Sequence, residues 1–358
     1  MGRAFLKGEN MKKTFCFVVF ALAAFMTLAA FAVPVRAQET PNMKSGLERY
    51  YAKDFKEAEK FFRSALEEDR GNSMAIMYLT DCAKQQKALG TILNEYEEKA
   101  LAAPSDPYIK CYLGFFYFCK SLQDRDDVFE EASNMFKEAL KLNPNLALGY
   151  NGMGTVYYQK RLMPRARSYF AKAIKLDSND SMSIERLGDI YMNDDKNYGA
   201  AKGYFEDIIA LYPSYPDAYF FRGSACQKDG DVDEAIRMYK MAAERDPNGL
   251  TQGYYAPVRL GDVYYGQGEY AKAIEAYEKA LDINPNNSYV LRMIEKARNP
   301  EKARPEDRKK SGKDSKVDEG EGKIDGGENK GGEGSDSNLN ENIRKKLDSA
   351  AEKSAAEK

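Results

Sequence analysis

Glu185, Asp189 and Asp262 are the side chains with the clearest capacity for chemistry, because carboxylates grouped at helical spacing can serve as acid–base pairs or as oxygen ligands for calcium. Acid–base work needs an apolar pocket that lifts a carboxylate's pKa, and calcium needs a closed loop of oxygens. The segments around these three residues offer neither, so a solvated helical face is the plainer reading. Arg186 is the only basic residue well placed near Asn151, and one cation does not make an anion clamp. Histidine is absent from the 358 residues, which removes imidazole catalysis, Ser–His and Cys–His pairs and His-ligated metals. Gly149, Gly152 and Gly154 follow no strand and therefore do not read as a phosphate-cradling loop. No catalytic residue, cofactor or metal is expected, and the chain reads as a non-enzyme.

Of five cysteines, Cys16 lies in an N-terminal apolar run and Cys82, Cys111, Cys119 and Cys226 lie within helical patterns. Buried free thiols are the expectation, with a Cys82–Cys119 bridge as the alternative in an oxidising compartment. Lys and Arg number 54 against 56 Asp and Glu, and a net charge of -2 gives no general pull toward nucleic acid or anionic lipid.

The elements that must position these side chains are helical hairpins. Residues 257–285 read PVRLGDVYYGQGEYAKAIEAYEKALDINP, two short amphipathic helices around Gly268 with a terminal proline. One such hairpin cannot bury its apolar face, so it must stack on copies of itself. Copies lie upstream. Small residues recur at Gly154, Gly188, Gly223 and Gly261 in the first helices and at Ala166, Ala201, Ala235 and Ala273 in the second. These positions let neighbouring helices approach closely, while rings such as Phe170, Phe205 and Tyr277 fill the space between.

This register resembles the tetratricopeptide repeat, which implies an all-α, right-handed superhelical solenoid of helix-turn-helix units. Repeats are expected near 40–71, 72–104, 107–144, 147–178, 181–213, 216–247 and 254–285, with a polar-backed capping helix at 287–298 closing a solenoid that covers 38–298. Residues 72–104, where Thr80 and Ile92 stand in the small-residue positions, are either a decayed repeat or a helical pair of another geometry; the decayed repeat is the expectation, because Tyr96 and Pro104 keep register. Residues 107–144 carry an insertion at the charged turn SLQDRDD, and 247–257 are longer than the spacing requires, either as a longer first helix or as a loop at the groove edge.

In the resembling family the first helices line a concave groove that binds other proteins. By register, the aromatic groove candidates are Tyr108, Phe115, Phe118, Tyr158, Phe220 and Tyr265, and the polar ones are Asn151, Thr155, Glu185, Arg186, Asp189, Gln227, Lys228 and Asp262. Aromatic rings there could take apolar side chains of an extended segment while Asn151 holds its backbone; the alternative is that several of them only cover neighbouring helices. Some members clamp a carboxylate terminus with lysines, but Met43, Cys111, Phe220 and Val258 stand at those positions here.

The termini read differently. Lys12 and Lys13 precede an apolar run at 14–33, followed by small residues up to Ala37, the pattern of a secretory signal peptide over 1–37. An uncleaved anchor is the alternative, and either route exports the remainder of the chain. The expected location is the periplasm, with an inner-membrane-anchored or secreted form as alternatives, and the expected partners are envelope proteins. Residues 299–358 are Lys, Glu, Asp, Gly and Ser with almost no apolar side chain, the composition of a disordered tail. A small-ligand-binding or transport-associated role is the runner-up to a protein-binding scaffold.

Overall fold

Each run of helix-period apolar residues folds as an α-helix, and the helices pair in sequence. The computed structural model describes residues 39–124 and 129–300, and among them there are fifteen helices and no strand. The expected signal segment and tail lie outside the described residues. In chain order the first four helices are α1 (Pro41–Tyr51), α2 (Phe55–Glu68), α3 (Ser73–Gln85) and α4 (Leu89–Ala102). They are followed by α5 (Pro107–Asp124), α6 (Glu130–Leu142), α7 (Ala147–Gln159) and α8 (Met163–Leu176). Next come α9 (Ser181–Asn193), α10 (Tyr198–Leu211), α11 (Pro216–Asp229) and α12 (Val232–Arg245). The last three are α13 (Tyr255–Gly266), α14 (Tyr270–Ile283) and α15 (Ser288–Arg298). No described helix is long and apolar enough to cross a membrane.

Helix starts are marked by side-chain caps: Thr40, Asp54, Asn72, Asp180, Asn197 and Asn287 each accept a bond from an amide in the first turn. Hairpins turn on one residue of positive φ. It is Gly230 or Gly268 late in the chain, but Lys53, Lys87, Arg161 and Lys196 earlier, where the sequence carries no turn signal.

Packing within the hairpins follows one rule. A Cβ placed at Gly46, Gly114, Gly154, Gly188, Gly223 or Gly261 would lie within 2.9 Å of the ring of Phe62, Phe136, Phe170, Phe205, Tyr239 or Tyr277 respectively. The first helix therefore yields its side chain so that the ring of the second can sit flat against backbone. At Gly261 the separation would be 2.3 Å from Tyr277, whose ring is fully buried and cannot retreat. Gly261→Leu should cost about 3 kcal/mol, the upper end of ordinary overpacking, measured as a lowered urea midpoint.

The second pair departs from this rule. Thr80 and Ile92 keep the helices apart, and α3 and α4 barely touch, whereas every other pair packs along its length. α3 instead packs on α2 and α5 and reaches across to α9. Residues 73–102 are thus two helices of a different geometry from their neighbours. At the far end Val290, Leu291, Ile294 and Ala297 of α15 are buried against the last hairpin, and Arg292, Glu295 and Arg298 are exposed. Cys82, Cys111 and Cys226 are buried and Cys119 is half-buried; all four are free thiols, with no Cys82–Cys119 bridge.

Candidate functional site

The first helices α5, α7, α9 and α11 form a wall, and most of the polar residues expected to receive a partner there are bonded within the chain. Asn151 of α7 is fully buried, and its amide donates to Asp180 Oδ1 at 2.7 Å and to Ser183 Oγ at 3.1 Å. Asp180 also caps α9 and accepts from the Ser183 hydroxyl at 2.7 Å. Burial pushes the Asp180 carboxyl up to about 6 despite these donors. Thr155 is buried and donates to the Asn151 carbonyl at 3.0 Å.

Further along α9, Glu185 accepts from the Tyr215 hydroxyl at 2.7 Å, and Arg186 lies 3.9 Å from Glu185 and over the Tyr158 ring at 5.3 Å. The Tyr158 hydroxyl donates to Asp189. The aromatic candidates of α5 are likewise engaged: Phe115 meets Phe136 edge-on at 5.1 Å, Phe118 stacks on Phe129 at 5.1 Å, and Tyr108 lies under the Arg70 guanidinium at 4.7 Å.

This half of the wall is covered by the chain's own N-terminal helices. The Ser73 hydroxyl, at the start of α3, is 3.4 Å from that of Ser181 at the start of α9, and it accepts from the Met182 amide at 3.3 Å. The Tyr212 hydroxyl donates to Asn72 Oδ1 at 3.5 Å, and the Ser214 hydroxyl donates to Glu39. Tyr78 of α3 shares a 2.6 Å hydroxyl contact with Tyr51 of α1 and meets Tyr215 edge-on at 6.3 Å. On the other flank the Asn248 amide donates to the Tyr51 carbonyl at 2.9 Å.

Asn248 belongs to the extra residues after Pro247, which form a loop between α12 and α13. Its shape comes from Asp246, fully buried, whose carboxylate accepts from the amides of Leu250, Thr251 and Gly253 at 3.0, 2.9 and 3.2 Å. The Gln252 amide and the Thr251 hydroxyl turn outward to Asp217. Burial, with Glu185 and Asp246 close by, pushes the Asp217 carboxyl up to about 7. Sequence reasoning missed Ser73, Tyr78, Tyr215, Asp217, Asp246 and Asn248. The surplus length after Pro247 and the broken pattern of the second repeat were the only signals, and neither says what touches what.

The wall is open at its C-terminal end, on α11, α13 and α15. Tyr255 is 44% exposed beside Phe220, with ring centroids 6.5 Å apart, and the exposed Arg259 reaches Asp262 at 3.5 Å. Asp262 accepts from the hydroxyls of Tyr277 at 2.8 Å and Tyr289 at 2.7 Å, and Tyr289 is itself 39% exposed. Lys228 is exposed near the Tyr198 ring, Gln227 accepts from Tyr239 at 2.8 Å, and Tyr265 packs on Tyr270. The clamp positions Met43, Cys111, Phe220 and Val258 are all buried. Among the described residues no group of His, Cys, Asp or Glu could hold a metal ion.

Two family models described as tetratricopeptide repeat match the chain, one at 120–181 and 186–249 and the other at 258–287. A small glutamine-rich tetratricopeptide repeat-containing protein 2 from Mycosarcoma maydis is 31% identical over 120 residues, 34% of this chain and 30% of that protein. The photosystem I assembly protein Ycf3 from a Synechococcus strain is 32% identical over 100 residues, 27% of this chain and 57% of that protein. The chain thus spans less than two thirds of the length of these relatives. Among solved structures, the Cut9–Hcn1 hetero-tetramer of the APC/C superposes with a TM-score of 0.51 at 18% identity, covering 70% of this chain and 47% of that one. That likeness is one of fold: an all-α solenoid of helical repeats.

Proposed function

We propose that this array of tetratricopeptide repeats is a non-catalytic scaffold or adaptor of the cell envelope that holds a segment of another envelope protein. Proteins built from such repeats generally mediate protein–protein interaction, and the leader-like residues 1–37 support export. The observation that carries the reading is the open end of the wall. There Tyr255, Arg259 and Tyr289 stand exposed on the first-helix side, around the partly buried Asp262. Aromatic rings beside an arginine are the side chains that most often anchor a protein interface, because they bury large area at low entropic cost.

The test is affinity capture from intact envelope with the full chain, followed by titration of the purified partner. Tyr255→Ala and Arg259→Glu should each weaken that partner at least tenfold, the loss expected for an anchor residue. Unchanged affinity in both variants would overturn the assignment of this face. A thermal-shift screen in which a metabolite, and no protein, raises the melting temperature would favour the small-ligand role instead.

A further inference from the structure

The contact of α1–α3 with the wall deepens the protein-binding reading and rests on it. Its composition differs from that of the hairpins. Within hairpins, rings lie against glycine backbone; at this seam, beside a shared apolar core, hydroxyls, amides and carbonyls meet, as at Ser73 and Ser181, Asn248 and Tyr51, and Tyr212 and Asn72. All of these groups can be satisfied by water when the seam parts, so separation does not strand an unpaired polar atom. The two sides are also remote in sequence, 108 residues apart at Ser73–Ser181 and 197 at Asn248–Tyr51. Finally, α3 is barely tied to α4, its partner in sequence, so parting α1–α3 from the wall dismantles no hairpin; what it gives up besides the seam includes the packing of α3 on α5 and the ion pair of Arg63 with Glu95.

A helix already seated on the wall shows the chemistry the wall accepts. It is buried along most of its length, and it brings the Ser73 hydroxyl to the start of α9 and the Tyr78 ring to the start of α11. We propose that α1–α3 is a built-in occupant of the wall formed by α9, α11 and the 246–254 loop, and that a partner's apolar helix bearing tyrosine and serine gains this surface by displacing it. Binding is then reduced in proportion to the fraction of molecules in which the seam is closed.

The test uses the full chain and, as probe, a fluorescent synthetic peptide of residues 72–86 carrying Cys82→Ser. Ser73→Cys with Ser181→Cys places two thiols where the hydroxyls are 3.4 Å apart, close enough for a disulfide to lock the seam. By fluorescence anisotropy the oxidised double variant should bind the peptide at least tenfold more weakly than the same protein after reduction, with wild type treated identically as control. Ser73→Arg, which forces a bulky charge into the seam from the occupant's side and leaves the wall unchanged, should bind it at least tenfold more tightly than wild type. Equal binding by the oxidised and reduced forms overturns displacement, and so, where the disulfide does not close, does unchanged affinity in Ser73→Arg. If the locked chain keeps full affinity for a partner that Arg259→Glu abolishes, displacement is wrong and the scaffold reading stands. If the peptide behaves as expected and no envelope protein is captured, the scaffold reading fails and the seam remains a helix-binding surface.

Discussion

Tyr78→Ala should lower the stability of the fold by about 3–5 kcal/mol, the usual cost of emptying a buried aromatic site. The Tyr78 ring is 3% exposed, stacks on Phe62 at 5.3 Å, and meets Tyr50 and Tyr215 edge-on at 4.6 and 6.3 Å. It joins the first hairpin, α3 and the start of α11, so its loss removes packing from three places at once. It also leaves the Tyr51 hydroxyl without its partner at 2.6 Å. Tyr78→Phe keeps the ring and gives up only that bond, and should cost about 1 kcal/mol. Urea unfolding followed by circular dichroism gives both values. Hydrogen exchange adds the location, since amides of α1–α3 should lose protection in Tyr78→Ala well before those of α13 and α14. A Tyr78→Ala protein within about 1 kcal/mol of wild type would mean that α3 does not lie against α11 in solution.

Acid should tighten the seam and neutral pH should loosen it. Asp217 and Asp180 are both held by burial above the ordinary carboxylate range, at about 7 and about 6. A carboxyl raised on folding binds more protons in the native than in the unfolded state. Stability is therefore greatest below the unfolded pKa near 4 and falls as pH rises through 6 and 7. Asp217 faces the carboxylates of Glu185 on α9 and Asp246 of the loop, its own neighbour Tyr215, and the tyrosines Tyr50 and Tyr51 of α1 and Tyr78 of α3. The tyrosines are pushed upward by burial and stay neutral throughout this window, and Arg186 of α9 lies beside Glu185. Asp180 meets only hydroxyls and amides from Ser73, Ser183 and Asn151.

Because Asp217 keeps part of its surface in water, the combined effect is discounted to about 2–3 kcal/mol between pH 4.5 and 8. The urea midpoint and the exchange of α1–α3 amides at pH 4.5, 6 and 8 measure it. Asp262 on α13, also raised by burial, adds a slope of the same sign away from the seam, and Glu39, raised by burial beside Ser214, adds one at it, so the decisive comparison is Asp217→Asn, which should reduce the α1–α3 response to the part set by Asp180 and Glu39. An α1–α3 response that keeps its full slope in Asp217→Asn would rule out this carboxyl as its source.

The helical pairs were legible because the information is local. A glycine in one helix and a ring in the next, as at Gly154 and Phe170 or Gly261 and Tyr277, lie sixteen residues apart, and the hairpin turn alone brings them together. The cap at Asn287 and the apolar face of α15 are local in the same sense. The candidate wall was legible only as a register. Asn151 and Glu185 fall on the first-helix face as expected, but whether such a face meets a partner or another part of the chain depends on how the repeats stack.

By itself the sequence determined that the described repeats would be helical, where most hairpins begin and end, and that histidine chemistry is absent, since composition and spacing within some thirty residues decide all three. Only the tertiary structure decided that Tyr78 and Ser73 would cover Glu185, Tyr215 and Ser181, leaving Tyr255 and Arg259 exposed. That choice is made by surfaces more than a hundred residues apart, after each hairpin has formed, from the small angle each repeat adds to the last, and no periodicity along the chain records it.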